Sequence, residues 1–285
     1  MASRRSVGPV QRKPRRKRKG RPNYSRFLPS ARSRRRALSA YQRAHPGVQL
    51  ALALATAVVL WGAVNFAYQV IRKPSELFFP VSETLYKTPT ETWQAYSASF
   101  RKHATAVMTP DLLAALAQVE ASGNPVARTY WRWSWRRHPF ELYRPASSAV
   151  GMYQITDGTF EIARRYCIHD HAVVDDGPWH AWRSCWFNSL YTRVIPYHAV
   201  ELTSAYLDKG VARTLARHGI KSATLAQKQK LATLIHLCGA GAGDAYARRG
   251  LHLSKGQRCG DHDAGAYLRR VAAVQQTFRR LAAKD

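Results

Sequence analysis

Glu120 has the sequence setting of a general acid. It lies at the end of a short predicted apolar helix and is followed by Ser122-Gly123-Asn124-Pro125. Leu112, Leu116 and Glu120 are each four residues apart, so they share the apolar face of that helix. Burial there and the negative end of the helix dipole both disfavour a carboxylate. We therefore expect a raised pKa, which a general acid working near neutral pH requires. A glutamate rotated into solvent at a frayed helix end fits the same residues.

The flanking residues predict both ends of this helix. Thr109 is a good N-cap, and Pro110 suits the first helical position. Gly123 is expected to end the helix as a left-handed C-cap. The pattern thus predicts a helix over 111–121 that carries Glu120 in its last turn.

A second segment, 148–155, reads Ser-Ala-Val-Gly-Met-Tyr-Gln-Ile. Together the two segments resemble the soluble lytic transglycosylase family, which has a lysozyme-like fold. The positions that fit the family's motifs are Glu120, Ser122, Asn124-Pro125, Ser148, Gly151, Met152 and Gln154, with Tyr153 where a methionine is usual. The resemblance implies that the second segment lines a sugar cleft beside the acid. Its substrate-binding candidates are Ser148, Gly151, Met152, Tyr153 and Gln154.

Two later segments extend the resemblance, which covers residues 108 to 275. The family's Tyr-Asn-Ala-Gly-Pro-Gly segment is present in degraded form at 238–243, which keeps the glycines and lacks the tyrosine and asparagine. The segment 266–271 resembles the family's late tyrosine segment, which makes Tyr267 a candidate to face the cleft.

The resemblance implies a reaction on peptidoglycan that uses one glutamate and no cofactor or metal. Glu120 would protonate the glycosidic oxygen between N-acetylmuramic acid and N-acetylglucosamine, and would then deprotonate the muramoyl C6 hydroxyl to close a 1,6-anhydro ring. The substrate's acetamido group would stabilise the cationic centre. Two alternatives stay open: a hydrolase whose water is delivered by Asp157 or Glu141, and a glycan-binding anchor without activity. Glu161 follows Asp157 on the same predicted helix, where a surface role is the default.

An aromatic insertion, Trp131-Arg132-Trp133-Ser134-Trp135-Arg136-Arg137, separates the two segments. Its period-2 alternation predicts three indoles on one face and Arg132, Ser134 and Arg136 on the other. Indoles stack on sugar rings, and cations suit a polymer that carries peptide carboxylates. Trp131 and Trp133 are therefore candidates for substrate binding. An aromatic flap packed on the domain fits the same pattern.

The first 47 residues hold sixteen Lys and Arg and no Asp or Glu, in a chain of formal net charge +28. This tail, 1–47, is predicted to be disordered. Its charge favours anionic lipid headgroups, with a cytoplasmic partner as the alternative, and we expect no nucleic acid as a partner.

The next segment, Val48 to Ile71, is almost wholly apolar and shows no polar face, which predicts a transmembrane helix rather than a buried soluble helix or a cleaved signal peptide. Positive charge before it predicts a cytoplasmic N-terminus and a periplasmic C-terminal part, anchored once in the inner membrane. Peptidoglycan strands and an envelope assembly or secretion complex are the partners that this location suggests.

Residues 72–92, with three prolines, are predicted to be a stalk, and 93–285 a single globular, mostly α domain of lysozyme-like fold. The predicted helices are 93–103, 111–121, 156–167, 186–209, 225–237 and 264–283.

Four cysteines all lie in the predicted exported part. An oxidising compartment predicts two disulfides, and we favour the local pairs Cys167 with Cys185 and Cys238 with Cys259. Zinc is the alternative, since His236 and His262 flank the second pair and two histidines follow Cys167.

Overall fold

A computed structural model describes residues 30–135, 138–181 and 183–285, and the chain divides into two compact units, Met1–Trp61 and Gly62–Asp285. In the first unit, Ala31–Arg43 forms helix α1, whose residues are all exposed. Ser30 caps it, because its side chain accepts a hydrogen bond from the Ser33 amide. Disorder was predicted for the whole tail. That prediction is wrong over α1, and its first 29 residues lie outside the described part.

Helix α2 (Pro46–Arg72) is long and apolar enough to cross a membrane. It extends slightly beyond the predicted span, 48–71. Its last turns belong to the second unit, and there Asn65 and Gln69 are buried on one face. The prediction of a helix without a polar face is therefore wrong for these turns, because two side chains four residues apart are committed to contacts within the domain.

The predicted stalk is packed rather than extended. It contains two 3-10 turns, Pro74–Phe78 and Glu83–Leu85, on either side of α3 (Phe79–Ser82). Ser75, Glu76 and Ser82 are buried there. This stretch is part of the second unit, which already includes the last turns of α2. The domain boundary predicted at residue 93 is therefore wrong.

Helices are the main regular secondary structure of the second unit, in line with the predicted mostly α domain. They are α4 (Pro89–Lys102), α5 (Pro110–Ala121), α6 (Asp157–Ala163), α7 (Pro196–Arg217), α8 (Leu225–Cys238), α9 (Ala240–Arg248) and α10 (Ala264–Ala282). Helix α5 is the central one, with six consecutive buried residues, Leu112–Ala117. It packs against α4 and α10 and shares a hydrophobic core with Phe100 and Phe278. Each such side chain contributes roughly 1.5–3 kcal/mol by leaving water.

In the described part of the chain, three antiparallel two-stranded sheets interrupt the helices. They are β1 (Trp131–Trp133) with β2 (Tyr143–Pro145), β3 (Tyr166–His169) with β4 (Ala172–Asp175), and β5 (Arg258–Cys259) with β6 (His262–Asp263). The helix predicted over 156–167 is therefore wrong beyond Ala163. Asp170 and His171 both have positive φ, which turns β3 back onto β4.

Two further helix predictions needed correction. The helix predicted over 186–209 is a 3-10 turn, Trp186–Leu190, followed by a loop, and α7 starts at Pro196, where proline suits the first helical position. The degraded glycine segment, 238–243, was not assigned to any predicted helix, yet residues 240–243 form the first turn of α9. Glycine tolerates this helix because tertiary packing overrides its low propensity.

The two disulfides are Cys167–Cys185 and Cys238–Cys259, which confirms the predicted pairing. Both bridges consume the thiolates that the zinc alternative required. The described residues contain no group of three or more histidines, cysteines and carboxylates placed to hold a metal ion.

Candidate active site

Glu120 lies in the last turn of α5, as predicted. The left-handed cap is one residue earlier than expected, at Ser122 with φ 47°, and Gly123 follows with φ 65°. A Cβ atom on Gly123 would lie 2.3 Å from the Thr92 hydroxyl oxygen, so only glycine allows this turn to pack against α4. The Thr109 side chain makes no capping bond at the other end and instead accepts one from Gln229. The helix end thus presents Glu120 from a tightly packed turn.

Two other helices bring polar groups to the Glu120 carboxylate. The Tyr267 hydroxyl, from α10, donates a hydrogen bond to Oε1. Nε2 of His236, from α8, lies 3.5 Å from the same oxygen. The Glu120 side chain is 17 % exposed and that of His236 is 12 % exposed, so both are mostly shielded but reachable. The carboxylate is therefore held by a phenol and an imidazole, and is not rotated into bulk solvent.

These partners reverse the predicted pKa shift. Burial raises the pKa of Glu120, but the contact with His236, the Tyr267 hydroxyl and the charge of His262 together lower it below its ordinary value. The prediction of a raised pKa is therefore wrong. It considered burial and the helix dipole, and omitted partners that arrive from distant helices. Burial and the neighbouring carboxylate raise the pKa of Tyr267, which keeps its phenol protonated as a donor.

A cavity of about 230 Å³ lies beside His236. Its wall also contains Gln154, Thr159, Thr203 and Tyr206. Gln154 has φ 47°, and its side-chain amide donates to the Gly151 and Ala127 carbonyls. His236 thus connects the acid to a polar and aromatic cavity whose wall includes the glutamine expected in a sugar cleft.

The other residues of the second segment contact protein around the site. Gly151 has φ 80°, and a Cβ atom there would lie 2.3 Å from the Arg193 carbonyl oxygen. The Ser148 hydroxyl accepts a hydrogen bond from the Asp157 amide, at the start of α6. The backbone requires glycine at position 151, and the Ser148 hydroxyl is bonded to protein.

Met152 and Tyr153 lie wholly inside the core. The Tyr153 hydroxyl donates to the Leu113 carbonyl, on the helix that carries Glu120. Direct contact of these two side chains with a glycan is thus a wrong prediction, because no surface of either is accessible. Both side chains instead pack in the core that they share with α5.

The described part of the aromatic insertion, 131–135, contains β1, and the β1–β2 hairpin packs on the end of α2, whereas Arg136 lies outside the described residues. The Trp131 indole stacks on Phe66 with centroids 6.2 Å apart and donates to Glu76. The Trp133 ring packs on Tyr143. Neither indole lines the described cavity beside His236. Both were candidates to stack on sugar, with a packed flap as the alternative; the structure favours the packed flap, because the hairpin is bonded to the last turns of α2.

The alternative carboxylates are engaged elsewhere. Asp157 pairs with Arg193 at 2.8 Å, and Glu141 with Arg72 at 2.9 Å. Glu161 pairs with Arg164. Although Asp157 and Glu161 lie on α6, which also contributes Thr159 to the cavity wall, each of the three carboxylates is paired with an arginine, so these contacts give no support to a water-activating second carboxylate.

Sequence reasoning missed the role of His236, which it weighed only as a zinc ligand. The available signal was a lone histidine between Ile235 and Leu237 on an apolar helix. It also missed two buried carboxylates. Glu201 accepts hydrogen bonds from Tyr191 and the Ile168 amide, and Glu76 accepts one from the Trp131 indole.

Comparison with known proteins found no matching family model, no matching curated protein and no matching solved structure. The case for function therefore rests on the site geometry and on the motifs.

Proposed function

We propose that this protein is a peptidoglycan lytic transglycosylase with a lysozyme-like domain and Glu120 as its single acid and base. One observation carries the proposal. A partly shielded glutamate on a capped helix end is contacted by a tyrosine and a histidine, next to a cavity whose wall includes Gln154. The motif residues around Glu120 and Gln154 support the same assignment.

The geometry supports a two-step role for Glu120. In the first step, protonated Glu120 delivers its proton to the glycosidic oxygen, and the bond to the leaving sugar breaks. Tyr267 and His236 favour the carboxylate that this step produces, which makes Glu120 a stronger acid that is less often protonated. The substrate's acetamido group holds the cationic centre. In the second step the carboxylate takes the proton of the muramoyl C6 hydroxyl, whose oxygen closes the anhydro ring.

The proposed location is the inner membrane, with α2 as the single span, the N-terminus in the cytoplasm and the domain in the periplasm. The length and apolarity of α2 support a span. Sixteen basic residues before it support a cytoplasmic N-terminus, where anionic lipid is the proposed partner. Peptidoglycan strands are the proposed substrate, and an envelope assembly or secretion complex is the proposed setting.

The test compares the full chain in detergent with its Glu120→Gln variant on purified peptidoglycan sacculi. Soluble products are identified by mass spectrometry. We expect products lighter by one water than hydrolysis products, and none from the variant. Hydrated products would instead establish a muramidase, and binding without release would establish a glycan anchor.

A further inference from the structure

The β1–β2 hairpin is attached to the last turns of α2 by polar and aromatic contacts. Asn65 donates to the Tyr143 carbonyl at 2.8 Å, and Gln69 donates to the Phe140 carbonyl at 2.7 Å. Tyr68 packs against Phe140 with ring centroids 5.7 Å apart. These are side-chain amides bonded to hairpin backbone, so the hairpin has a defined position along the helix.

The strand register gives the hairpin two chemically different faces. Trp133 lies opposite Tyr143, which places two aromatic rings on one face. Arg132 lies opposite Arg144, which places two guanidinium groups on the other. Like charges directly across a sheet destabilise it unless an anion lies near. Glu141 approaches Arg144 only to 4.0 Å, so the pair is suited to a further anionic ligand.

The surface around the hairpin is also apolar. Trp133 is 63 % exposed and Trp135 is 94 % exposed. In the segment that contacts the hairpin, Ile71 at the end of α2 is 80 % exposed, and Leu77 is 61 % exposed. Single exposed apolar residues are ordinary, but several large ones on the hairpin and next to the residues that contact it, Gln69 and Glu76, are typical of an interaction surface.

We propose that this hairpin docks on the interface of the bilayer that α2 crosses, with Trp133 and Trp135 at headgroup depth and Arg132 and Arg144 on lipid phosphate. The continuity with α2 identifies the partner. A helix of 27 residues is about 40 Å long, whereas the hydrocarbon core is about 30 Å thick, so its polar end reaches the interface. Tryptophan and tyrosine concentrate at that depth, and arginine binds phosphate there.

This docking holds the domain at the membrane surface. The hairpin is also joined to the segment after α2, since Trp131 donates to the buried Glu76, which pairs with Lys73 at 3.1 Å. The segment after α2 is therefore packed against the hairpin and is not a free linker. The proposal does not depend on the reaction at Glu120.

The test uses the full chain, one copy per nanodisc, in a phosphatidylethanolamine and phosphatidylglycerol bilayer. Hydroxyl radicals oxidise accessible tryptophans, and peptide mass spectrometry measures each one. We expect Trp133 and Trp135 to be oxidised as slowly as Trp93, which is 3 % exposed. Trp179, at 78 % exposed, is the control within the same molecule and should be oxidised at the full rate. Oxidation of Trp135 at the rate of Trp179 would overturn the proposal.

A second measurement distinguishes lipid from protein as the covering surface. Lipids brominated on the acyl chain quench nearby tryptophan fluorescence. The double variant Trp133→Phe/Trp135→Phe should lose a clear part of this quenching, whereas Trp179→Phe should lose none. Protection from oxidation with unchanged quenching in the double variant would mean that another protein surface covers the hairpin, which would contradict the proposal.

Discussion

Glu76 and Glu120 are both shielded glutamates of the same unit, yet their surroundings differ. Glu76 is fully buried and lies within 3.1 Å of Lys73 and 3.3 Å of Arg128, with the Trp131 indole as a further donor. Glu120 keeps 17 % of its side chain exposed. Its contacts are a phenol and an imidazole, and the imidazole borders a cavity.

The difference separates a structural carboxylate from the one proposed as an acid. Ion pairs with Lys73 and Arg128 and the hydrogen bond from Trp131 connect Glu76, in the segment after α2, to the hairpin. Glu120 instead contacts an imidazole that borders a cavity. Burial alone therefore does not distinguish the two glutamates; their neighbours and their access to a cavity do.

Exchanging the carboxyl of each glutamate tests this comparison most strongly. Glu120→Gln should lower the rate of anhydro-product release by at least about 100-fold, since it removes the proton that the first step transfers. Glu76→Gln should retain activity at temperatures where the protein stays folded. Residual activity of the Glu120 variant above a tenth of wild type, with an unchanged circular dichroism spectrum, would remove Glu120 from its proposed role.

Stability should respond in the opposite sense. Glu76→Gln leaves the Lys73 and Arg128 charges without their anion, and should lower the free energy of unfolding by about 3–5 kcal/mol. Glu83→Gln, at an exposed position in the same stretch, should change it by less than about 0.5 kcal/mol. Urea titrations of the full chain in detergent would measure both. Equal effects would mean that the buried cluster does not hold this segment.

The pH dependence of the proposed reaction follows from the lowered pKa of Glu120. Only the protonated acid can start the reaction, and its fraction grows as pH falls toward that pKa. kcat/KM should therefore rise about tenfold per pH unit from pH 7 to pH 5. His236→Gln removes a group that lowers this pKa, so the rising limb should move to higher pH. A limb unchanged by this variant would show that His236 does not set the acid's protonation.

The smallest effect is expected at the hairpin. Trp133→Phe/Trp135→Phe should leave the rate of sacculus digestion in detergent unchanged, because neither indole lines the described cavity. A loss of rate comparable to that of Glu120→Gln would restore the stacking of these rings on sugar. That result would remove the division between a chemical region and an anchoring region.

Local sequence signals predicted several elements accurately. Proline and a capping residue predicted the start of α5, and an apolar run predicted α2. Two pairs of nearby cysteines predicted the two bridges. The failures had local causes too, such as the hairpin at 166–175, where a turn with two left-handed residues interrupts what was read as a helical pattern.

The sequence by itself indicated which carboxylate could act as an acid and where the chain could cross a membrane, and it favoured the cysteine pairs that the structure contains. Each of these depends on residues within a few turns or one loop. Only the tertiary structure decided the state of that acid, because Tyr267 reaches Glu120 across 147 positions of the chain. It likewise placed the aromatic hairpin against α2, since the Asn65 side chain and the Tyr143 carbonyl meet across 78 positions. Periodicity describes which face a side chain occupies on its own element, whereas its hydrogen bonds and its pKa depend on the elements packed against that face.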